Sequence, residues 1–129
     1  MTAVLLLVAL LHPAPAQSEY PEWLGYISWY FPEHLVEQAV EVAECESRNH
    51  PEAVGAVGEI GLFQIYPRYW SYLLEPGESL YDPETNVRIA ATLARYGVER
   101  FGDPWHYWSC QPTSAAGEPR YSTTTGILR

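Results

Sequence analysis

The chain has two cysteines, Cys45 and Cys110, and whether they are bonded decides which distant segments can be neighbours in the fold. A disulfide would place the sequence around Cys110 beside the sequence around Cys45, and it would stabilise the fold by about 4 kcal/mol through its effect on chain entropy. Two free thiols are the alternative. We expect no metal site, because neither His50 nor His106 stands in the close pairing with a cysteine that zinc ligands show.

The amino-terminal segment bears on the choice between disulfide and thiols. TAVLLLVALL, residues 2–11, is an apolar run that is short for a bilayer span. The sequence Ala14-Pro15-Ala16 follows with the small-x-small pattern of a signal peptidase site, so residues 1–17 are predicted to be a signal peptide. No lysine or arginine precedes the apolar run, and a retained membrane anchor or a misassigned start are the alternatives. Export favours the disulfide, because exported proteins fold under oxidising conditions.

Composition limits both the number of domains and the class of partner. A chain of 129 residues with 47% hydrophobic content has room for one domain with a core of its own. Its 16 acidic residues against 7 basic ones give a net charge of −9, which disfavours binding to nucleic acid or to another polyanion. The 10 tyrosines and 5 tryptophans carry polar groups on their rings, which suits surfaces that meet water or a ligand.

Three segments carry helix signals. Residues 20–31 are predicted to form a short aromatic helix, and residues 33–48 follow the helical period. Residues 82–102 have a full set of boundary signals, because Asp82 can cap the helix, a proline follows it and Gly102 can end it. These segments predict a mainly helical fold.

The remaining segments are predicted to be irregular. Residues 49–67 alternate short apolar runs with glycines, which favours a loop or a small β-hairpin over a helix. Residues 111–129 are small, polar and aperiodic, and we expect a flexible tail there. The folded domain is therefore predicted to span residues 18–110.

Helical periodicity sets one glutamate apart from its neighbours. Between residues 33 and 48 one stripe carries charge and can stay in water (Glu37, Glu41, Glu44, Arg48). The opposite stripe is apolar (Leu35, Ala39, Val42), and its next position is Glu46. A carboxyl group withdrawn from water has a raised pKa and can hold a proton for a leaving oxygen. The alternative is that Glu46 frays into solvent at the last turn or pairs with an arginine.

The sequence around Glu46 resembles the lytic transglycosylase (SLT) family of the lysozyme-like superfamily. In ECESRNHPEAVGAVGEIGLFQIYP, residues 44–67, a Glu-Ser pair is followed by an Asn-Pro-x-Ala-type turn and by Gly-Leu-x-Gln-x-x-Pro. LYDPETNVRIAATLARY, residues 80–96, is similar to the next family segment, in which Asp-Pro-x-x-Asn opens a helix. The likeness runs from about residue 39 to about residue 102. It implies a mainly α (α+β) fold, a lysozyme-like helical bundle with a small β-hairpin beside the cleft.

The resemblance also implies a reaction. The protein would cleave the β-1,4 bond between N-acetylmuramic acid and N-acetylglucosamine in peptidoglycan, with Glu46 first as acid and then as base. In a transglycosylase the muramoyl C6 hydroxyl attacks and gives a 1,6-anhydro sugar. A hydrolase instead uses water and typically a second carboxylate, for which Glu59 is the chief candidate. Neither reaction needs a metal or an organic cofactor.

Other residues are expected to contact the sugar. By resemblance Ser47 orients the substrate, although its hydroxyl could instead bond the helix backbone. Gln64 lines the sugar groove, unless it is buried against backbone groups, and Tyr66, two residues further on, is also expected to bind the substrate. The usual Ala-Tyr-Asn-Ala-Gly segment is absent, and DPWHYWSCQP, residues 103–112, stands in its place. Its aromatic residues Trp105, Tyr107 and Trp108 could form the missing wall or belong to the core.

Two other classes of protein share part of these features. A catalytically silent module that binds glycan or belongs to a virion could keep the same groove. A resuscitation-factor-like muramidase is similar at Cys45-Glu46-Ser47 and at WSC, but it has no clear match to GLFQIYP or DPETN. In each case the expected partner is the peptidoglycan strand. We expect a monomer that is secreted or in the periplasm or cell envelope, and that meets the membrane only if the amino-terminal segment is retained.

Overall fold

The structure is a computed structural model that describes residues 21–117. The predicted signal peptide, residues 1–17, lies outside this range, as do residues 118–129 of the predicted tail. The described part of the chain is mainly helical, which confirms the predicted class. None of the helices within it has the length and apolar character that crossing a membrane requires.

Four helices follow one another in this part of the chain. They are α1 (Glu22–Tyr30), α2 (Val36–Ser47), α3 (Pro67–Trp70) and α4 (Pro83–Phe101). A 3₁₀ turn, Glu33–Leu35, precedes α2, so the α-helix begins later than the periodicity suggests. The boundaries of α4 are those predicted, because Asp82 accepts a hydrogen bond from the Thr85 amide at 2.8 Å and Gly102 ends the helix with φ 71°.

Helices α1 and α4 pack against each other and carry much of the core. The Tyr30 hydroxyl donates to Glu84 at 2.8 Å and joins the two helices at their edge. Inside, the Phe31 ring stacks on Phe63 at 5.6 Å and on Trp105 at 5.9 Å between centroids. Aromatic packing therefore connects the end of α1 with the loop before α3 and with the segment after α4.

The small β-hairpin predicted for residues 49–67 is not formed, and residues 21–117 contain no strand. Two isolated antiparallel bridges stand there instead, Val54 with Ile60 and Ile60 with Ile65. The physical reason is the spacing of the turns. Gly61, at φ 81°, begins a tight turn, and the Gln64 backbone amide closes it with a 3.0 Å hydrogen bond to the Gly61 carbonyl. The residues between the two bridges are therefore used in the turn and cannot form a continuous ladder of strand hydrogen bonds.

Asn86 fixes this loop onto α4. Its side chain is 1% exposed and accepts a hydrogen bond from the Phe63 amide at 2.9 Å. Its amide group donates to the carbonyls of Ile60 and Leu80, each at 2.9 Å. A Cβ on Gly61 would overlap the Asn86 side chain, so the glycine is needed both for its backbone angle and for this approach.

Residues 111–117, which the sequence assigns to a flexible tail, lie along α2 and the turn before it. Gln38 donates to the Ser114 carbonyl at 2.6 Å, and the Gly117 amide donates to the His34 carbonyl at 2.8 Å. Glu41 accepts hydrogen bonds from the backbone amides of Thr113 and Ser114, at 2.7 and 3.2 Å. This segment therefore follows α2 back from its carboxyl end towards its start.

Candidate active site

Glu46 lies in the last turn of α2 and is half-buried. The predicted disulfide between Cys45 and Cys110 is confirmed, with 5.9 Å between the two Cα atoms. Because Cys45 precedes Glu46, the disulfide brings the Cys110 backbone to the glutamate, and the Cys110 amide donates to Glu46 Oε1 at 3.0 Å. Among the described residues Oε2 has no hydrogen bond, so one carboxylate oxygen is fixed and the other is free.

The two predicted stripes of α2 are largely as expected. The residues of the apolar stripe are buried in the core, with Leu35 in the preceding 3₁₀ turn and Ala39 and Val42 in α2. Glu37 and Glu44 are exposed, and Glu46 sits between these two environments. Glu41 differs from the prediction, because residues 113–114 cover it. Contact with the Ser114 side chain, together with the amide and hydroxyl of Thr113, lowers the pKa of Glu41 to about 2.

Glu59 lies half-buried in the loop that precedes α3. Its Oε2 accepts a hydrogen bond from the Val57 amide at 3.0 Å. Its own amide, then the Val57 amide and the Tyr66 side chain, lower the pKa of Glu59 through hydrogen bonds. Glu59 is therefore an anion at neutral pH and has no proton to donate to a leaving group.

Tyr66 links Glu59 to Glu46. The hydrogen bond with Glu59 raises the pKa of Tyr66 most, and desolvation and the negative charges of Glu59 and Glu46 raise it further. Tyr66 therefore keeps its proton and remains a hydrogen-bond donor at neutral pH. Both carboxylates therefore lie within electrostatic reach of one phenol.

Gln64 and Ser47 both make hydrogen bonds with the backbone. Gln64 is half-buried at φ 46°, and its amide group donates to the carbonyls of Ala53 and Gly61, at 3.2 and 3.0 Å. Ser47 is buried and donates to the Ala43 carbonyl at 3.0 Å. These are the alternatives that the sequence left open for both residues, and their contact with sugar stays a prediction.

A Cβ on Gly55 would overlap both the Glu59 carboxylate and the Gln64 side-chain oxygen. This glycine therefore allows the two side chains to converge on the loop backbone. The site thus combines a helix end with a tightly folded loop that carries Glu59, Gln64 and Tyr66.

The aromatic residues of the segment 103–112 divide between core and surface. Trp108 is buried, and its indole N–H donates to the Phe63 carbonyl at 2.9 Å. The buried Trp105 donates in the same way to Gln38 at 2.7 Å. Tyr107 is half-buried and meets the edge of Trp70, with 5.1 Å between centroids. Of the three rings, Tyr107 is the most open to a ligand.

Two polar groups that organise the site were missed by the sequence analysis. The Cys110 amide is a backbone group and has no signal of its own, although the cysteine pair indicated its neighbourhood. Asn86 was noted only as part of a helix-opening motif, although a polar residue on the buried face of a helix is itself a signal. Within residues 21–117 no cluster of three or more His, Cys, Asp or Glu side chains is arranged to hold a metal ion.

The domain is mainly helical, with a half-buried glutamate in the last turn of α2, and its similarity to known proteins places it in the lysozyme-like superfamily. A sequence model of the Transglycosylase SLT domain matches residues 32–117, and the chain belongs to this family. The soluble lytic murein transglycosylases of Escherichia coli K12 and O157:H7 are each 31% identical to it over 90 residues.

This similarity covers 64% of the chain but only 14% of each relative. The crystal structure of the 70 kDa soluble lytic transglycosylase SLT70 from Escherichia coli superimposes with a TM-score of 0.53 at 31% identity. That alignment covers 60% of this chain and 14% of the other. The chain therefore matches a small part of the length of these relatives.

Proposed function

We propose that the protein is a peptidoglycan lytic transglycosylase that cleaves the β-1,4 bond between N-acetylmuramic acid and N-acetylglucosamine, with Glu46 as its single catalytic residue. Membership of the Transglycosylase SLT domain family supports the class of reaction. The observation that carries the proposal is the state of Glu46, whose Oε1 is held by the Cys110 amide at 3.0 Å while Oε2 has no hydrogen bond with any of residues 21–117.

In the first step Glu46 donates the proton on Oε2 to the glycosidic oxygen. The bond between this oxygen and the muramoyl C1 breaks, and the N-acetylglucosamine end leaves with the proton. Positive charge then develops on the muramoyl C1, and Glu46 becomes a carboxylate. The Cys110 amide stabilises that carboxylate, because a hydrogen bond to a charged acceptor is stronger than one to a neutral acceptor.

In the second step the Glu46 carboxylate removes the proton from the muramoyl C6 hydroxyl. The C6 oxygen forms a bond to C1, which gives a 1,6-anhydro sugar and returns Glu46 to its protonated form. No water is consumed. A single carboxyl group therefore performs both proton transfers.

Residues around Glu46 are proposed to hold the sugar. Tyr66 donates its phenol proton to Glu59, so its oxygen can accept a hydrogen bond from a sugar hydroxyl. Gln64 shapes the same loop, and Tyr107 offers a ring face to the sugar. Trp108 and Ser47 contribute by packing beneath the site, because Trp108 bonds the Phe63 carbonyl and Ser47 bonds the α2 backbone.

A lysozyme-type hydrolase is the second candidate. The observation that supports it is the common influence of Glu46 and Glu59 on Tyr66, because a hydrolase typically uses a second carboxylate near the acid. In this mechanism Glu59 would position a water molecule that attacks C1 in place of the C6 hydroxyl.

Mass spectrometry of purified peptidoglycan digested by the oxidised protein separates these functions. We expect muropeptides with 1,6-anhydro ends. Reducing ends would favour the hydrolase, and binding without any product would favour a silent glycan-binding module. The disulfide and the peptidoglycan substrate are both consistent with a protein that is secreted or resides in the cell envelope, and we propose that it acts as a monomer.

A further inference from the structure

We propose that two copies of this chain pair through the face formed by α1 and α4, with the Trp29 ring of each copy seated in an apolar groove of the other. The inference goes beyond the proposed function and does not depend on it. It adds a concentration-dependent association to a protein whose single chain suffices for catalysis.

Trp29 projects from α1 into solvent. It is 81% exposed, the largest exposed fraction among the large hydrophobic residues of the range 21–117. The ring shares a cavity with Gly25, where a side chain would meet no atom within 4 Å, so the space beside the ring is open. The exposed Glu22 and Glu84 line the same cavity. Trp29 with these two glutamates is the Trp29 knob, an aromatic ring with acidic flanks.

Tyrosine hydroxyls hold both carboxylates of the knob. Tyr26 donates to Glu22 Oε1 and Tyr30 donates to Glu84 Oε1, each at 2.8 Å. The hydrogen bond with Glu22 raises the pKa of Tyr26 to about 12, so this phenol keeps the proton that it donates. The Oε2 atom of each glutamate has no hydrogen bond with residues 21–117 and can accept one from a cation of another molecule.

An apolar groove lies between α4 and the segment that joins α1 to α2. It has a volume of about 440 Å³, and its apolar lining includes Pro32, Leu35, Ala91, Ala94 and Val98. Val98 is 49% exposed, so the groove opens to solvent. A cavity of about 150 Å³ is known to hold benzene in another protein, so this groove has room for an indole ring.

The knob and the groove are neighbours on the surface of one copy. Tyr30 follows Trp29 in sequence, lines the groove and donates to Glu84 of the knob. A two-fold axis can therefore exchange the two features, so that each knob meets the groove of the other copy at the same time. Glu46, Glu59 and Tyr66 line neither the groove nor the cavity beside Trp29, so pairing uses surface that the candidate active site does not.

The distribution of charge favours the contact of knob with groove. Arg88 and Arg95 both line the groove, although the chain has 7 basic residues against 16 acidic ones. Arg88 pairs with Glu78, whereas the exposed Arg95 forms no ion pair with any of residues 21–117. A knob in the groove brings its carboxylates to Arg95. Two knobs or two grooves face to face would place like charges together.

The interface is small, which makes the pairing weak and reversible. An aromatic side chain buries about 150–250 Å², so two rings and their flanking charges belong to the class of contact below about 1,200 Å². Each copy also carries a net charge of −9, which repels the other copy at long range. At about 0.15 M salt this repulsion is screened beyond about 8 Å, and the contacts between adjacent charges remain.

Sedimentation velocity of the oxidised full-length protein at this salt concentration tests the pairing. Total protein is varied from about 1 μM to about 1 mM, the range in which weak pairs dissociate. We expect a mass that approaches twice that of one chain at the upper end. Trp29→Ala should raise the dissociation constant at least about thirtyfold, as the loss of a central tryptophan implies. Tyr72→Ala is the matched control, because Tyr72 is 67% exposed and lines neither the groove nor the cavity beside Trp29.

A second variant tests the groove. Arg95→Glu should weaken pairing at least about tenfold, because both contacts lose an ion pair and gain a repulsion, whereas Arg68→Glu makes the same charge change at an exposed site on α3 and should not. A mixture of the Trp29→Ala and Arg95→Glu proteins should pair more strongly than either protein alone. In the mixed pair one contact again has an intact knob and an intact groove.

Three results would overturn the inference. Wild-type protein that stays monomeric at about 1 mM would do so, and occupation of the groove by residues 118–129, which follow Gly117 at His34, would give this result. Pairing that survives Trp29→Ala would show that another surface, such as the apolar residues 2–11, is responsible. A mixture that pairs no better than its components would show that Trp29 and Arg95 do not meet across the interface.

Discussion

Removal of the Cys45–Cys110 disulfide has two separable consequences that can be worked out from the structure. The double substitution Cys45→Ser and Cys110→Ser opens a loop whose ends are 65 positions apart. By its effect on the entropy of the unfolded chain, the loss should reduce the free energy of unfolding by about 4 kcal/mol. Small domains have about 5–15 kcal/mol in total, so the variant should be marginally stable and melt about 20 °C lower.

The second consequence concerns Glu46. Without the disulfide the Cys110 amide is no longer tied to the end of α2, and the 3.0 Å hydrogen bond to Oε1 loses its support. A hydrogen bond to a charged group is worth about 1.5 kcal/mol, which corresponds to about a tenfold fall in rate. This fall should be seen even at low temperature, where the variant is still folded.

Urea denaturation followed by tryptophan fluorescence measures the loss of stability. Peptidoglycan digestion at about 10 °C, below the melting range of the variant, measures the loss of activity. Wild-type protein treated with a reductant is the control and should behave like the double variant. An unfolding free energy within about 1 kcal/mol of the wild-type value would refute the chain-entropy argument. Unchanged activity in the folded variant would refute the positioning of Glu46 by Cys110.

Three further predictions follow from other contacts. Asn86→Ala leaves the Phe63 amide and the Leu80 carbonyl unpaired in the core, while the Ile60 carbonyl keeps the Ile65 amide. Urea denaturation should therefore show a loss of about 3 kcal/mol, whereas Thr92→Ala on the same helix should cost far less. The pKa of Glu41 is lowered in the fold. The hydrogen bonds that its carboxylate accepts from residues 113–114 should therefore stabilise the fold above pH 4.5, and this stabilisation should be lost as the pH falls towards about 2. The Thr113 amide shift in NMR should report this loss, and Glu41→Gln should abolish the transition while Glu44→Gln leaves it intact. Activity should rise when salt is first added, because salt screens the repulsion between the net charge of −9 and an anionic cell wall. The screening length falls from about 30 Å at 0.01 M salt to about 10 Å at 0.1 M. A steady decline in activity from the lowest salt concentration would contradict this prediction.

The helices could be predicted because their signals are local. Asp82 and Gly102 mark the ends of α4 through side-chain and backbone preferences that need no tertiary contact. The period of α2 likewise separated the buried Val42 from the exposed Glu44. Glu46 was found by the combination of this period with the family resemblance.

The loop and the tail could not be predicted because distant contacts determine them. Alternating apolar residues suggested a hairpin, but the Phe63 amide donates to Asn86 on α4, and the Ile60 carbonyl accepts from Asn86 as well as from Ile65. Residues 111–117 have a composition typical of a flexible tail. The disulfide nevertheless places them next to α2, where Glu41 accepts hydrogen bonds from the amides of residues 113 and 114. Such backbone partners leave no pattern in the local sequence.

The most direct measurement is the rate at which Glu46→Gln releases products from purified peptidoglycan, compared with wild type and with Glu44→Gln. Glutamine keeps an oxygen for the Cys110 amide but cannot donate or accept the proton of the reaction, so we predict a fall of about a thousandfold with unchanged melting temperature. Glu44→Gln removes the same charge from an exposed site on α2 and should retain its activity. Release at the wild-type rate by folded Glu46→Gln would contradict the role of this residue as acid and base.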